Sequence, residues 1–84
     1  MVKHQPTVLG ANLLRIRKSK GLSQHALAQL SGVASSHISL LETGKYRDIY
    51  LSRGVALAHA LGVTVEELVK ERVRQLPPAK AGGL

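Results

Sequence analysis

The chain has 84 residues, enough for one small domain and too few for an enzyme with a deep pocket. Hydrophobic residues make up 44% of it but aromatic ones only 2%, so the core must be built from Leu, Val, Ile and Ala; the absence of Cys removes disulfides, zinc-thiolate sites and thiol chemistry. Twelve Lys and Arg against five Asp and Glu give a formal charge of +7, which implies an anionic partner.

Residues 1–6 read as an N-terminal arm. Thr7, after Pro6, is placed to cap a first helix reaching about Lys20, with Leu9, Leu13 and Ile16 at helical spacing, Leu14 at the edge or surface and Gly21 as the stop. Ser23 can cap a second helix, Gln24 to Ser31, whose inward set is Leu27, Ala28 and Leu30; Gly32 ends it. After only Gly32-Val33-Ala34 a third helix begins near Ser35 and runs to Thr43, with Ile38 and Leu41 inward and Gly44 closing it. Two short helices joined by so tight a turn must cross at a steep angle. The segment KYRDIYL is a loop, and Ser52 opens a fourth helix through Leu61, with Leu51, Val55, Ala58 and Leu61 at helical spacing before Gly62. Thr64 and Glu67 have capping-box spacing, with Val63 and Leu68 at the staple positions. This predicts a fifth helix running past Val69 and Val73 to about Gln75, where Pro77 and Pro78 stop it. The expectation is an all-α domain over residues 7–76 with a flexible tail, 77–84, and no strand or repeat.

The charge is unevenly spread. Lys3, Arg15, Arg17, Lys18 and Lys20 all precede the first acid, Glu42, whereas Glu66, Glu67 and Glu71 collect near the far end, so an anion would meet the first two thirds. Catalysis has little to stand on: His4, His25, His37 and His59 are scattered, no paired carboxylates flank a pocket, and no glycine-rich loop cradles a phosphate. No metal or other cofactor is expected. No apolar run approaches a membrane span, and Met1 to Leu14 lacks a basic start, a continuous apolar region and a small-residue cleavage site. The chain therefore reads as soluble and cytoplasmic, without a membrane partner.

Within residues 24–41 stand Gln24, Ala28, Gly32, Ile38 and Leu41. Ala28 is small where a second helix must come close, and Gly32 permits the left-handed backbone that a three-residue turn between helices requires. Ile38 and Leu41 anchor the later helix so that its other face projects as a rod. The stretch LSQHALAQLSGVASSHISLLETGK resembles the helix-turn-helix of the Cro and phage-repressor type, the XRE family, and ALAHALGVTVEEL resembles that domain's fourth and fifth helices; together they cover about residues 9–69. The resemblance implies a compact five-helix, lambda-repressor-like fold. It also implies a sequence-specific regulator of transcription, a repressor or controller protein of a bacterium or phage, whose helix 35–43 lies in the major groove of double-stranded DNA.

On that helix Ser36, Leu40 and Thr43 stand opposite Ile38 and Leu41, Ser39 lies at their edge, and Ser35 and His37 occupy the N-terminal end. These are the expected base readers. Serine hydroxyls donate or accept and so discriminate poorly between bases, whereas Leu40 can pack on a thymine methyl. An outward leucine can also be a surface residue or a dimer contact, and His37 an imidazole with no specific contact. The resemblance further assigns Gln24 as a phosphate clamp and Lys45, Tyr46 and Arg47 to the DNA backbone, contacts that hold register without reading sequence. Lys18 and Lys20 lie on a helix that, in this architecture, largely faces away from the groove. Arg17 and Glu42 match an ion pair that ties helix 1 to helix 3, with a role in orientation more than in net stability.

Two departures from the family stand out. Position 34 is Ala where Ser or Thr is common, so Ser35 is expected to cap the third helix itself. The loop KYRDIYLSR lacks the usual Pro-Ser start to helix 4 and is longer than typical, and Gly54 replaces a larger apolar residue, a gap for Ile49, Tyr50 or Leu51 to fill. Val69, Val73 and Leu76 continue an apolar stripe that can close the core, join two copies as a homodimer or bind another protein. The first function expected is homodimeric binding to a palindromic operator, with half-sites about 34 Å apart. The alternative is a protein-interaction module of the same fold, such as an antitoxin or coactivator.

Overall fold

A computed structural model describes residues 7–70. Among them are five helices: α1 (Val8–Ser19), α2 (Gln24–Ser31), α3 (Ser35–Thr43), α4 (Leu51–Leu61) and α5 (Val65–Val69). Three of their starts are fixed by side-chain oxygens. Thr7 Oγ1 accepts from the Gly10 amide at 2.8 Å and Ser23 Oγ from the Ala26 amide at 2.9 Å. Thr64 and Glu67 form the reciprocal box, each side chain accepting from the other's amide, at 3.0 and 3.2 Å. Caps of this kind contribute about 1 kcal/mol each.

The other two helices begin without a side-chain cap, at Ala34 and Tyr50. Ser35 is therefore the first helical residue of α3 and not its cap, because the Ala34 carbonyl already accepts from the His37 and Ile38 amides at 3.0 Å. α4 likewise opens one residue before Ser52, since the Tyr50 carbonyl accepts from the Arg53 and Gly54 amides at 3.0 Å.

Leu13, Leu27, Ile38, Leu41, Leu57 and Leu68 are fully enclosed, and Leu9, Ile16, Val33, Ala58 and Leu61 complete the core around them. Burying one such large side chain contributes about 1.5–3 kcal/mol. α1 packs on α3 and α5, α2 on α3 and α4, and α4 on α5. The approach of α1 to α3 is close enough that a Cβ on Gly10 would run into the Leu41 carbonyl oxygen.

Three residues expected inside lie outside it. Leu30 is exposed because Leu27 and Ala28 already meet the neighbours of so short a helix. Leu51, 72% exposed, and Val55 sit one step round α4 from its buried stripe of Gly54, Leu57, Ala58 and Leu61. Ile49 packs against the core and borders the space beside Gly54, where an added Cβ would meet Ile49 Cγ2 at 3.8 Å. Tyr50 and Leu51 stay exposed.

The fifth helix stops at Val69, short of the expected Gln75, and Lys70 turns to an extended ψ of 135°. Asn12, only 3% exposed, accounts for the stop. Its Nδ2 donates to the Leu68 carbonyl at 2.7 Å and the Lys70 carbonyl at 2.8 Å, so α1 takes up acceptors that a longer helix would use itself. Asn12 Oδ1 accepts from Arg15 Nη2 at 3.2 Å, which satisfies the buried amide at both ends. The arm 1–6, Val73, Leu76 and the tail 77–84 lie outside the described residues.

Candidate nucleic-acid interface

The turn between α2 and α3 depends on Gly32, whose φ of 79° lets its amide close on the Ala28 carbonyl at 2.8 Å. α3 then leaves with Ile38, Leu41 and Glu42 buried. Its opposite side faces outward: Ser36 and Thr43 are exposed, and Ser35, Ser39 and Leu40 are half-buried. The Thr43 hydroxyl donates to the Leu40 carbonyl at 3.2 Å, which leaves its lone pairs for other donors.

One flank of α3 is clamped to α1 and α2 through a buried carboxylate. Glu42 Oε2 accepts from Arg17 Nε at 2.7 Å, and Oε1 accepts from Arg17 Nη2 and Gln24 Nε2, each at 2.9 Å. Arg17 Nη1 donates to the Leu22 carbonyl at 2.8 Å, so the guanidinium spans three elements of the fold. The hydrogen bond to Glu42 raises the Arg17 pKa above the ordinary guanidinium range, against burial, which lowers it. Gln24 thus stands at the start of α2 with its amide nitrogen turned to Glu42.

The other flank faces the loop and α4. Gly44, at φ 87°, ends α3, and the Tyr46 amide bonds the Leu40 carbonyl at 3.0 Å, folding the loop back against the helix. Tyr46 then meets the half-buried His37 ring edge-on, with centroids 5.1 Å apart and planes at 86°. α4 brings Arg53 to the same imidazole, its Nη1 3.5 Å from His37 Nδ1, while the guanidinium lies 5.7 Å from the Tyr50 ring centre. Lys45, Tyr46 and Arg47 are all exposed just past the C-terminal end of α3.

The expected base readers therefore share one outward helix, with the expected phosphate residues at its end and at the start of α2. Arg53 joins this surface without having been read from the sequence, and Tyr50, expected as a candidate filler beside Gly54, joins it too. The available signal was an exposed arginine in the first turn of the helix after α3, and only the fold of loop 45–50 shows where it points. Lys18 and Lys20 are exposed on and beside α1. Val69, 52% exposed, borders with Leu51 an apolar cleft of about 240 Å³ floored by Leu9, Gly54 and Leu68. Among the described residues no group of three His, Cys, Asp or Glu side chains could hold a metal ion, and no helix is long and apolar enough to cross a membrane.

A family model described as helix-turn-helix matches residues 13–68. An uncharacterized HTH-type transcriptional regulator of Sinorhizobium fredii is 37% identical over 62 residues, which cover 74% of this chain and 79% of that protein. Among solved structures, the restriction-modification controller protein C.AhdI from Aeromonas hydrophila matches with a TM-score of 0.68 at 39% identity, over 73% of this chain and 91% of that one. The biofilm master regulator SinR, solved in complex with DNA, matches with a TM-score of 0.72 at 29% identity, over 74% of this chain and 98% of that one.

Proposed function

The chain belongs to the helix-turn-helix family of the Cro and phage-repressor type, DNA-binding regulators of transcription, and on that premise we propose that it reads a specific duplex sequence with α3 laid in the major groove. The observation that carries this reading is α3 itself: a thin outward surface of Ser36, Leu40 and Thr43, backed by a fully buried side and clamped through Glu42. Ser35, Ser39 and His37 extend that surface toward the N-terminal end, where a recognition helix enters the groove. Lys45, Tyr46 and Arg47 hold the DNA backbone at one end, and the Gln24 region with the first amides of α2 holds it at the other. The likeness to C.AhdI favours a controller or repressor role. Two copies meet on the side of Val69 and Leu51, whose exposed apolar surfaces flank one cleft, and so address a palindromic operator.

Selection from random duplex DNA tests the reading. The expected product is a palindromic consensus whose affinity falls steeply with salt, by roughly 0.9 in log–log slope for each phosphate neutralised. Arg47→Ala should weaken all sequences about equally, whereas Ser36→Ala or Leu40→Ala should change the preferred sequence. Failure to enrich any sequence, or an affinity indifferent to salt, overturns the proposal.

A further inference from the structure

The flank of α3 that faces α4 bears on which base it reads. We propose that Arg53 is a positioning residue for sequence recognition: it holds the His37 imidazole in the tautomer with its hydrogen on Nε2, so that His37 offers a donor to the major groove. This rests on α3 being the groove-reading helix. An arginine guanidinium donates hydrogen bonds and never accepts them, whereas a neutral imidazole has one donor and one acceptor nitrogen. Arg53 Nη1 stands 3.5 Å from His37 Nδ1, at the outer edge of hydrogen-bond range. The contact is attractive when Nδ1 is the bare acceptor and repulsive when Nδ1 carries the hydrogen, which favours the tautomer with its hydrogen on Nε2.

Both partners are held in place. Tyr46, edge-on at 5.1 Å and 86°, limits rotation of the His37 ring, and the Tyr50 ring lies 5.7 Å from the Arg53 guanidinium carbon. Asp48 lines the same cleft as His37, Tyr46 and Tyr50 and is the nearest acid in sequence to the cluster, but its Oδ1 accepts from the Ile49 amide at 2.9 Å. Among the described residues no carboxylate pairs with Arg53. A donor at Nε2 selects the edges that show an acceptor in the major groove, namely guanine N7 and O6, adenine N7 and thymine O4. It rejects cytosine, which shows a donor there.

The test uses the full chain and the duplex consensus selected by it. Long-range proton–nitrogen NMR of the imidazole should show His37 as the Nε2–H tautomer, and Arg53→Met should convert it to a mixture while the helical circular dichroism and unfolding midpoint stay unchanged. Selection with Arg53→Met should lose the preference at one position per half-site, with affinity for the best site falling roughly five- to tenfold, the lower part of the range for one mismatched base pair. His37→Ala should lose the same position, and combining the two changes should add nothing further. A hydrogen on Nδ1 overturns the proposal. So does a loss spread equally over all sequences with a salt slope lower by about one, which marks a direct phosphate contact. A consensus that survives Arg53→Met intact overturns the role of Arg53 alone, whereas no consensus from the unmodified chain overturns the groove reading on which it rests.

Discussion

The two flanks of α3 are held by opposite kinds of chemistry. Toward α1 and α2, the buried Glu42 receives three charge-assisted hydrogen bonds of 2.7–2.9 Å. Toward α4, His37 meets Tyr46 across 5.1 Å and Arg53 across 3.5 Å, and both partners are exposed. The first flank is costly to disturb, because removing one partner strands a buried charge. The second can change at little cost to the fold, since its groups are already solvated. The inner flank therefore sets where the helix sits, and the outer one can vary without unsettling it.

The sharpest way to break that contrast is Glu42→Ala, which leaves Arg17 buried with no counter-charge. It should cost about 3–5 kcal/mol, read from urea unfolding, whereas Arg17→Met combined with Glu42→Leu should recover most of the loss. A cost for the single change of less than about 1 kcal/mol would mean that the pair does not hold α3. Gly10→Ala attacks the same inner side through the backbone. In an exposed helix this exchange gains up to about 1 kcal/mol. Here the new Cβ would run into the Leu41 carbonyl oxygen, a backbone atom with no rotamer to escape into. α1 must shift, and a loss of about 1–3 kcal/mol is expected on the same urea curve. The sign alone decides the matter.

The same contrast separates what the chain announces locally from what only the fold brings together. Thr7, Ser23 and Thr64 announce helix starts, and Gly21, Gly32, Gly44 and Gly62, all at positive φ, announce their ends, because each acts on backbone within a few residues of itself. The outward set on α3 was legible too, since periodicity places it once Ile38 and Leu41 are taken as buried. Arg17 and Glu42 lie 25 residues apart, and only the family resemblance joined them. Asn12 was missed: a single polar residue beside an apolar stripe reads as a helix edge, and its partners are carbonyls 56 and 58 residues away. Arg53 was missed because its reach to His37, 16 residues back, depends on the path of loop 45–50. On α4, Leu51–Val55 and Gly54–Leu57 are both plausible apolar stripes, and only packing against α2 and α5 selects the second.

Neither flank braces the first turn of α3 from within the backbone, and Ala34→Ser measures how much that matters. Ala34 already has cap geometry, φ −59° and ψ 141°, but no side-chain acceptor for the early amides of the helix. A hydroxyl there can accept from the second or third of them, a gain of about 1 kcal/mol. In a domain of this size that raises the thermal midpoint by roughly 4–8 °C. The added hydroxyl turns onto the helix's own amides and not toward the groove, so the preferred DNA sequence should stay as it is. A changed preference alongside the higher midpoint would mean that the turn carrying Ser35, Ser36 and His37 is not held by Tyr46 and Arg53, and that its reading geometry is set by the cap instead.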